Sequence, residues 1–253
     1  MSWIKTLTGR KIDFLNPQED QMDLRDIFLA LARNHRFGGH SPMKVGHHIL
    51  EVVALMILEA NPEGFEAKLT DEEIVELAEI ALIGMIHDMP EFAVGDMPTP
   101  LKRLLGPVYA EIEERILRVM LKKWRLEEAW EKHHGRLKIA DQDAVEQEAL
   151  RFGLDGQFID EFNQKLVVPN EWVPERTELT LAPHPWSQEL VVNALTMTWV
   201  KLMVLSGRAD LVANLFMEAV HELEADTGVS MQAGFRAPNP NLPPLLVSGQ
   251  RIV

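Results

Sequence analysis

The chain has 253 residues, of which 46% are hydrophobic and 25% charged, so it can bury a sizeable core and general disorder is not expected. It contains no cysteine, which excludes disulfides and thiolate-bound zinc. The net charge is −14 and basic residues cluster only in short pairs such as Lys122-Lys123, which argues against a nucleic-acid-binding surface.

The N-terminal segment lacks the apolar region of a signal peptide. The longest apolar stretch, residues 49–60, is interrupted by Glu51 and Glu59 and falls short of the roughly 20 residues that span a bilayer. We therefore expect a cytoplasmic protein with no membrane partner.

The first predicted elements are helices. Asp23 can cap a helix whose apolar residues Leu24, Ile27, Phe28 and Leu31 recur at helical spacing. Two glycines and a proline in residues 36–42 end it, and residues 45–60 then read as a largely buried helix.

Thr70 and Glu73 form a capping box that starts the next predicted helix. Its apolar stripe leads into His87-Asp88, and Pro90 predicts a break because the residue before proline avoids helical angles. The loop at residues 95–100 is too proline-rich to predict regular structure there.

The rest of the chain gives weaker signals. We predict helices over residues 101–123, 126–152, 155–166, 186–205 and 209–225, with an irregular segment at 168–185. No run of alternating strands is recognised, so the predicted fold is all-α. We expect residues 1–152 to form the core and 153–253 a helical extension packed on it, with a mobile proline-rich tail from about residue 236.

Four polar residues occur in segments expected to be packed. His87 and Asp88 end an apolar helix, His48 lies near the start of another, and Asp141 lies in a third. Each alone is more often a hydrogen-bonded core residue than a ligand. A shared divalent cation would relieve the cost of burying all of them.

Several short motifs occur in order over roughly residues 9–152. They are Arg36-Phe37-Gly38-Gly39-His40, Val45-Gly46-His47-His48, His87-Asp88-Met89-Pro90-Glu91, Gly95-Asp96-Met97-Pro98-Thr99-Pro100-Leu101-Lys102 and Lys138-Ile139-Ala140-Asp141. This series resembles the HD-domain metal-dependent phosphohydrolases. It looks most like small bacterial and phage members related to 5′-deoxynucleotidases, so an HD-type helical bundle is implied.

The resemblance implies that His48, His87, Asp88 and Asp141 are the metal ligands, with His47 as a one-residue alternative to His48. By the same resemblance Glu91 assists the attacking water or the leaving group, and Asp96 contacts the sugar or the water network. Arg36 matches a phosphate-binding arginine. Phe37 replaces the tryptophan that those nucleotidases place beside the sugar.

Lys102 is a second candidate for binding phosphate, although a solvated lysine at the start of a helix is an equal alternative. Imidazole and carboxylate ligands without thiolate suit Mn, Co, Fe, Ni or Zn better than Mg or Ca. An additional Mg could accompany a triphosphate substrate.

Three functions compete. The first is a 5′-deoxynucleotidase that cuts a deoxynucleoside monophosphate, and sparse basic residues favour it. The second is a triphosphohydrolase that releases triphosphate from a deoxynucleoside triphosphate such as dATP. The third is an inactive HD-type regulatory module, which all four ligand types and Glu91 argue against. A homo-oligomer is expected from the resemblance.

A second histidine pair, His133-His134, lies in a polar segment before Gly135. We interpret it as a solvated helix end. Ser187 is predicted to cap the helix that begins near Trp186.

Overall fold

The computed structural model describes residues 2–151 and 187–212. In these two ranges the regular structure is one short hairpin and a series of helices, so the predicted all-α fold is confirmed. The helices are α1 (Leu24–Leu31), α2 (Val45–Ala60), α3 (Asp71–Ile86), α4 (Glu91–Val94), α5 (Thr99–Leu105), α6 (Pro107–Lys123), α7 (Glu127–Arg151) and α8 (Gln188–Leu205).

The hairpin is the element that sequence patterning missed. Its strands, β1 (Trp3–Lys5) and β2 (Lys11–Asp13), pair antiparallel with Ile4 opposite Ile12. Strands of three residues are too short to show a period of two, so the sequence pattern did not predict this hairpin. The hairpin packs against the helical core through Ile12, whose side chain is completely buried.

Helices α1 and α3 begin where their capping signals predicted, and α2 begins at Val45, the start of its predicted apolar segment. Asp23 accepts a hydrogen bond from Arg25 N, and Thr70 accepts one from Glu73 N while the Glu73 carboxylate accepts from Thr70 N. These contacts satisfy backbone donors that a helix N-terminus leaves unpaired. They fix the register that brings His87 and Asp88 to the end of α3.

Gly84 sets the distance between α2 and α3. A Cβ atom there would lie 2.9 Å from Met56 Sδ and 3.3 Å from Val53 Cα. The helices can approach this closely because glycine has no side chain. Gly84 also accepts a hydrogen bond from the His87 ring, so this close contact supports the polar end of α3.

We expect Gly84→Ala to lower the free energy of unfolding by about 1–3 kcal/mol, because the added methyl overpacks the α2–α3 contact. Gly135 is the matched control, since it lies within α7 and a Cβ there meets nothing within 4 Å. Gly135→Ala should stabilise by roughly 0.5–1 kcal/mol. Urea unfolding of both variants checks this, and equal effects at the two sites would contradict it.

The region after Pro98 differs from the prediction. Residues 95–100 were expected to be irregular and 101–123 a single helix, but α5 starts at Thr99 and Gly106 separates it from α6. Pro100 fits the first turn of a helix because that turn needs no N–H donor. Gly106 has φ 69° and precedes Pro107, which together end α5.

Helix α7 runs unbroken through Gly135, so the interpretation of His133-His134 as a solvated helix end was wrong. His133 is only 2% exposed, whereas His134 is exposed and bonds to Trp130 O. His133 shares a helical face with buried Ala129, Ala140 and Ala144. His133 is buried because it lies on the helical face that packs against the core, although its neighbours in the sequence are polar.

Helix α8 packs against α1, α2 and α3. Ser187 caps it as predicted, accepting a hydrogen bond from Leu190 N. Trp199 is completely buried and makes edge contacts with Phe28 and Trp124 at centroid distances of 6.4 and 4.9 Å. This helix therefore contributes to the same hydrophobic core as the first half of the chain.

Several predictions lie outside the described residues. They are the helix at 155–166, the irregular segment at 168–185, most of the helix at 209–225 and the tail from about 236; within the described part, Ala209–Leu211 is a 3₁₀ turn. In the part of the chain that is described, no helix combines the length and apolarity needed to cross a membrane.

Candidate metal centre and active site

The four predicted metal ligands come together where α2, the end of α3 and α7 meet. Asp88 Oδ2 lies 3.5 Å from His48 Nε2 and 3.4 Å from His87 Nε2. Asp141 Oδ1 lies 3.0 and 3.9 Å from the same two atoms. Among the described residues, His48, His87 and Asp141 form a group whose ligand atoms lie within 4.8 Å of one another, and Asp88 adjoins it.

Both histidine rings present the same nitrogen to this cluster. His48 Nδ1–H donates to Glu148 Oε1 at 2.8 Å, and His87 Nδ1–H donates to Gly84 O at 2.7 Å. When the rings are neutral, their Nε2 atoms carry lone pairs. Both Nε2 atoms are buried without a hydrogen-bond partner among the described residues.

These lone pairs face anionic carboxylate oxygens, an arrangement that is repulsive unless a positive charge lies between them. Ligand atoms bound to one ion at about 2.0–2.1 Å are about 2.9–3.4 Å apart, close to the spacings in this cluster. His48, His87 and Asp141 could therefore hold a metal ion, with the Asp88 carboxylate beside them.

The electrostatics of His48 support the same conclusion. Burial and the Arg36 charge lower its pKa, but the carboxylates of Glu148 and Asp141 outweigh them and raise it to about 10. Burial raises the pKa of Asp88, yet the neighbouring imidazoles of His87 and His48 hold it well below its usual range. The cluster attracts positive charge, and a metal ion would compete with a proton for it.

Glu148 is the residue that sequence reasoning missed. It lies on α7 with a fully buried side chain. One carboxylate oxygen accepts from His48 Nδ1–H, and the other accepts from Arg36 Nε–H at 3.2 Å. The signal in the sequence was its place seven residues after Asp141, on the same helical face as buried Ala144.

Arg36, the predicted phosphate-binding residue, lies beside the cluster and is itself buried. Its Nη1 lies 3.8 Å from Asp88 Oδ2 and 3.5 Å from Asp96 Oδ1. The backbone places it there because Arg36 N–H donates to Met43 O, closing the loop between α1 and α2. Arg36 therefore joins the metal cluster to the Asp96 loop.

Asp96 follows Gly95, whose φ of 79° turns the chain after α4. Tyr109 O–H donates to Gly95 O at 2.8 Å and holds this turn against α6. Burial raises the pKa of Asp96, and the Asp88 charge adds to that, while Arg36 opposes it. The structure thus places Asp96 beside Arg36, next to the cluster rather than in it.

Glu91 begins α4 and is almost wholly buried. Its Oε1 lies 3.4 Å from Lys102 Nζ, and its Oε2 has no hydrogen-bond partner among the described residues. Burial, then repulsion from Asp88 and Asp96, raises its pKa well above the ordinary value. A carboxyl group with a raised pKa beside a metal site is suited to accept and return a proton.

The alternative interpretation of Lys102, a solvated lysine at the start of a helix, does not describe its environment. Its ammonium donates to both Glu91 and Glu113, with Glu113 Oε1 at 3.0 Å, and its side chain is 31% exposed. It lies 5.1 Å from the centre of the Tyr109 ring. Lys102 therefore positions Glu91 and keeps one cation at the rim of the site.

The two remaining candidates are His47 and Phe37. His47 Nδ1 accepts from Lys44 N at 3.2 Å, so its ring belongs to the start of α2 while His48 faces the cluster. Phe37 has a left-handed backbone (φ 55°), and Arg36 Cζ lies 5.7 Å from its ring centre. Phe37 thus lies next to Arg36.

Comparison with known proteins gives relatives without an assigned activity. No protein-family model matches the chain. An uncharacterized protein of Rhodobacter capsulatus is 29% identical over 118 residues, which are 46% of this chain and 54% of the relative. The uncharacterized protein YfdR of Escherichia coli is 30% identical over 128 residues, 50% of this chain and 60% of its own length. The chain thus spans somewhat more than half the length of these relatives.

Proposed function

We propose that this protein is a metal-dependent phosphohydrolase that acts on deoxynucleotides, and specifically a 5′-deoxynucleotidase. The observation that carries the proposal is the convergence of two unpartnered imidazole nitrogens and two aspartate oxygens at 3.0–3.9 Å. A buried carboxyl group, Glu91, and a buried cation, Arg36, lie against this cluster.

His48, His87, Asp88 and Asp141 would hold the ion. A divalent ion there supplies Lewis acidity, which makes water more acidic and offsets charge on a phosphoryl oxygen. The phosphate would bind beside Arg36, whose guanidinium is fixed by Glu148 and Asp96 and so keeps its orientation. Arg36 would hold the ester in place while water attacks phosphorus.

Glu91 carries the proton transfers in this proposal. Its Oε2 is available to take a proton from the attacking water and to return it to the leaving sugar oxygen. Lys102 and the backbone fix the carboxyl group, because Asn34 Nδ2 donates to Glu91 O at 2.9 Å. Burial of Glu91 and Arg36 limits competing water near the reacting atoms.

The charges around the site support a monophosphate as the substrate. Among residues 2–151 and 187–212, six carboxylates and two cations, Arg36 and Lys102, surround the cluster; the carboxylates are Asp88, Glu91, Asp96, Glu113, Asp141 and Glu148. A divalent ion leaves the site still negative. A monophosphate with about −1.5 to −2 charges is repelled less than a triphosphate, which carries more charge. The deoxynucleoside part of the proposal rests on the sequence resemblance and on Phe37 beside Arg36.

The test is a hydrolysis screen of the four deoxynucleoside monophosphates and the four triphosphates with Mn, Co, Mg and Zn. Products are resolved as phosphate or triphosphate. We expect phosphate from monophosphates, with little triphosphate from triphosphates. Triphosphate release would assign the triphosphohydrolase activity instead. A protein that binds metal but turns over none of these substrates would be the regulatory module.

A further inference from the structure

Glu148 contacts both His48, in the candidate metal cluster, and Arg36, beside it. Its side chain is fully buried, and each carboxylate oxygen has one charged or polar partner. Oε1 accepts from His48 at 2.8 Å and Oε2 accepts from Arg36 at 3.2 Å. These partners lie 100 and 112 residues away in the sequence, so Glu148 links α7 both to α2 and to the loop that precedes α2.

We infer that Glu148 is a positioning residue that couples the metal site to the anion-binding arginine. The inference rests on the proposed function for the roles of His48 and Arg36. The coupling between His48 and Arg36 follows because one carboxylate accepts a hydrogen bond from each of them.

The contact with His48 fixes which ring nitrogen is free. With Nδ1–H committed to Glu148, only Nε2 can offer a lone pair to an ion. Such outer partners orient a ligating imidazole and raise its basicity, and their loss typically costs roughly 10–100-fold in metal affinity. Asp141 lies two turns earlier on α7, so the same helix supplies a ligand and the support of another ligand.

The contact with Arg36 uses Nε and so fixes the plane of the guanidinium. Nη1 then lies at the edge of the cluster, near Asp88 and Asp96. An anion bound at the metal would meet a guanidinium that is already oriented, which lowers the entropic cost of binding it. Any rotation of Glu148 would disturb both the ligand and the arginine.

Two substitutions of Glu148 test its contacts with His48 and Arg36. Glu148→Gln keeps the size of the side chain but has one acceptor oxygen for two donors, and Glu148→Met has none. Glu146→Gln on the same helix is the control, because the Glu146 carboxylate contacts Gln142. Zn²⁺ affinity is measured by chelator competition, orthophosphate affinity by calorimetry at saturating Zn²⁺, and folding by thermal melting.

We expect Glu148→Met to weaken Zn²⁺ binding by roughly 10–100-fold and orthophosphate binding several-fold, with Glu148→Gln between it and the wild type. Glu146→Gln should leave both affinities unchanged. Arg36→Met completes a double-mutant cycle. In that background Glu148→Met should no longer weaken orthophosphate binding, whereas its effect on Zn²⁺ should persist.

The inference is overturned if the Glu148 variants lower the melting temperature and leave both affinities unchanged, since Glu148 would then serve folding alone. It is also overturned if the loss of orthophosphate affinity is the same with and without Arg36. A wild-type protein that binds none of Zn²⁺, Mn²⁺ and Co²⁺ would contradict this inference and the proposed function together. Variants that behave as expected, in a protein that hydrolyses no nucleotide, would contradict the proposed function alone.

Discussion

Replacing Asp88 by asparagine is expected to abolish metal binding and lower phosphate release by roughly 10³-fold or more, because the activation of water would be lost. Asp88 Oδ2 lies within 3.5 Å of both Nε2 atoms, so it contacts both imidazole ligands. The amide that replaces it carries no charge to hold a cation. Metal affinity is measured by calorimetry and turnover by phosphate release.

Asp210→Asn is the control for Asp88→Asn, because it also removes one aspartate charge. The Asp210 carboxylate is more than half exposed and pairs with Arg125 at 3.0 Å. We expect this variant to keep the metal affinity and turnover of the wild type. An Asp88→Asn protein that still binds the metal with unchanged affinity would show that the cluster is not the metal site.

Replacing Glu91 by glutamine is expected to lower kcat by roughly 10²–10⁴-fold while metal affinity stays near that of the wild type. Glutamine preserves the shape of the side chain but cannot take up a proton. Glu91 lies beside the ligand cluster, and its carboxylate interacts with Lys102 rather than with the two histidines. Steady-state kinetics and metal titration separate the two effects.

Glu114→Gln is matched to Glu91→Gln, since Glu114 is an exposed glutamate that pairs with Arg118 on α6. It should leave kcat unchanged. If Glu91→Gln instead removed the metal, Glu91 would be a ligand and not the proton carrier. An unchanged kcat in Glu91→Gln would exclude a role in proton transfer.

The four candidate ligands were predicted from the resemblance of their short motifs to a known family, and helical patterns in the sequence placed those motifs on helices. His87 and Asp88 follow a helix whose apolar stripe and capping box are clear in the sequence, and His48 lies in the first turns of a helix predicted from its apolar run. His87 and Asp88 follow the end of α3 and His48 lies near the start of α2, whereas Asp141 lies within α7. Their convergence then needs only that α2, α3 and α7 pack together, as they do.

Glu148 was not predictable in the same way. Its two partners belong to segments about a hundred residues earlier, so its role depends on tertiary packing rather than on a local pattern. Lys102 shows the same limit, because whether it is solvated or paired depends on how α5 lies against Glu91 and Glu113.

Two further predictions were wrong, the single helix over residues 101–123 and the solvated position of His133. Gly106 before Pro107 broke a helix that periodicity alone extended across it. His133 was judged by its polar neighbours, although the buried alanines on its helical face determined its environment. In both cases a local rule competed with a stronger one, the proline constraint in the first and tertiary burial in the second.

Metal dependence is tested most directly by titrating metal-stripped wild-type protein with Mn²⁺ and measuring bound metal and phosphate release from a deoxynucleoside monophosphate in the same samples. We expect no hydrolysis without metal, and hydrolysis that rises in proportion to the occupancy of one site per chain. Hydrolysis that persists in the stripped protein, or saturated binding without hydrolysis of any of the four monophosphates, would contradict this expectation.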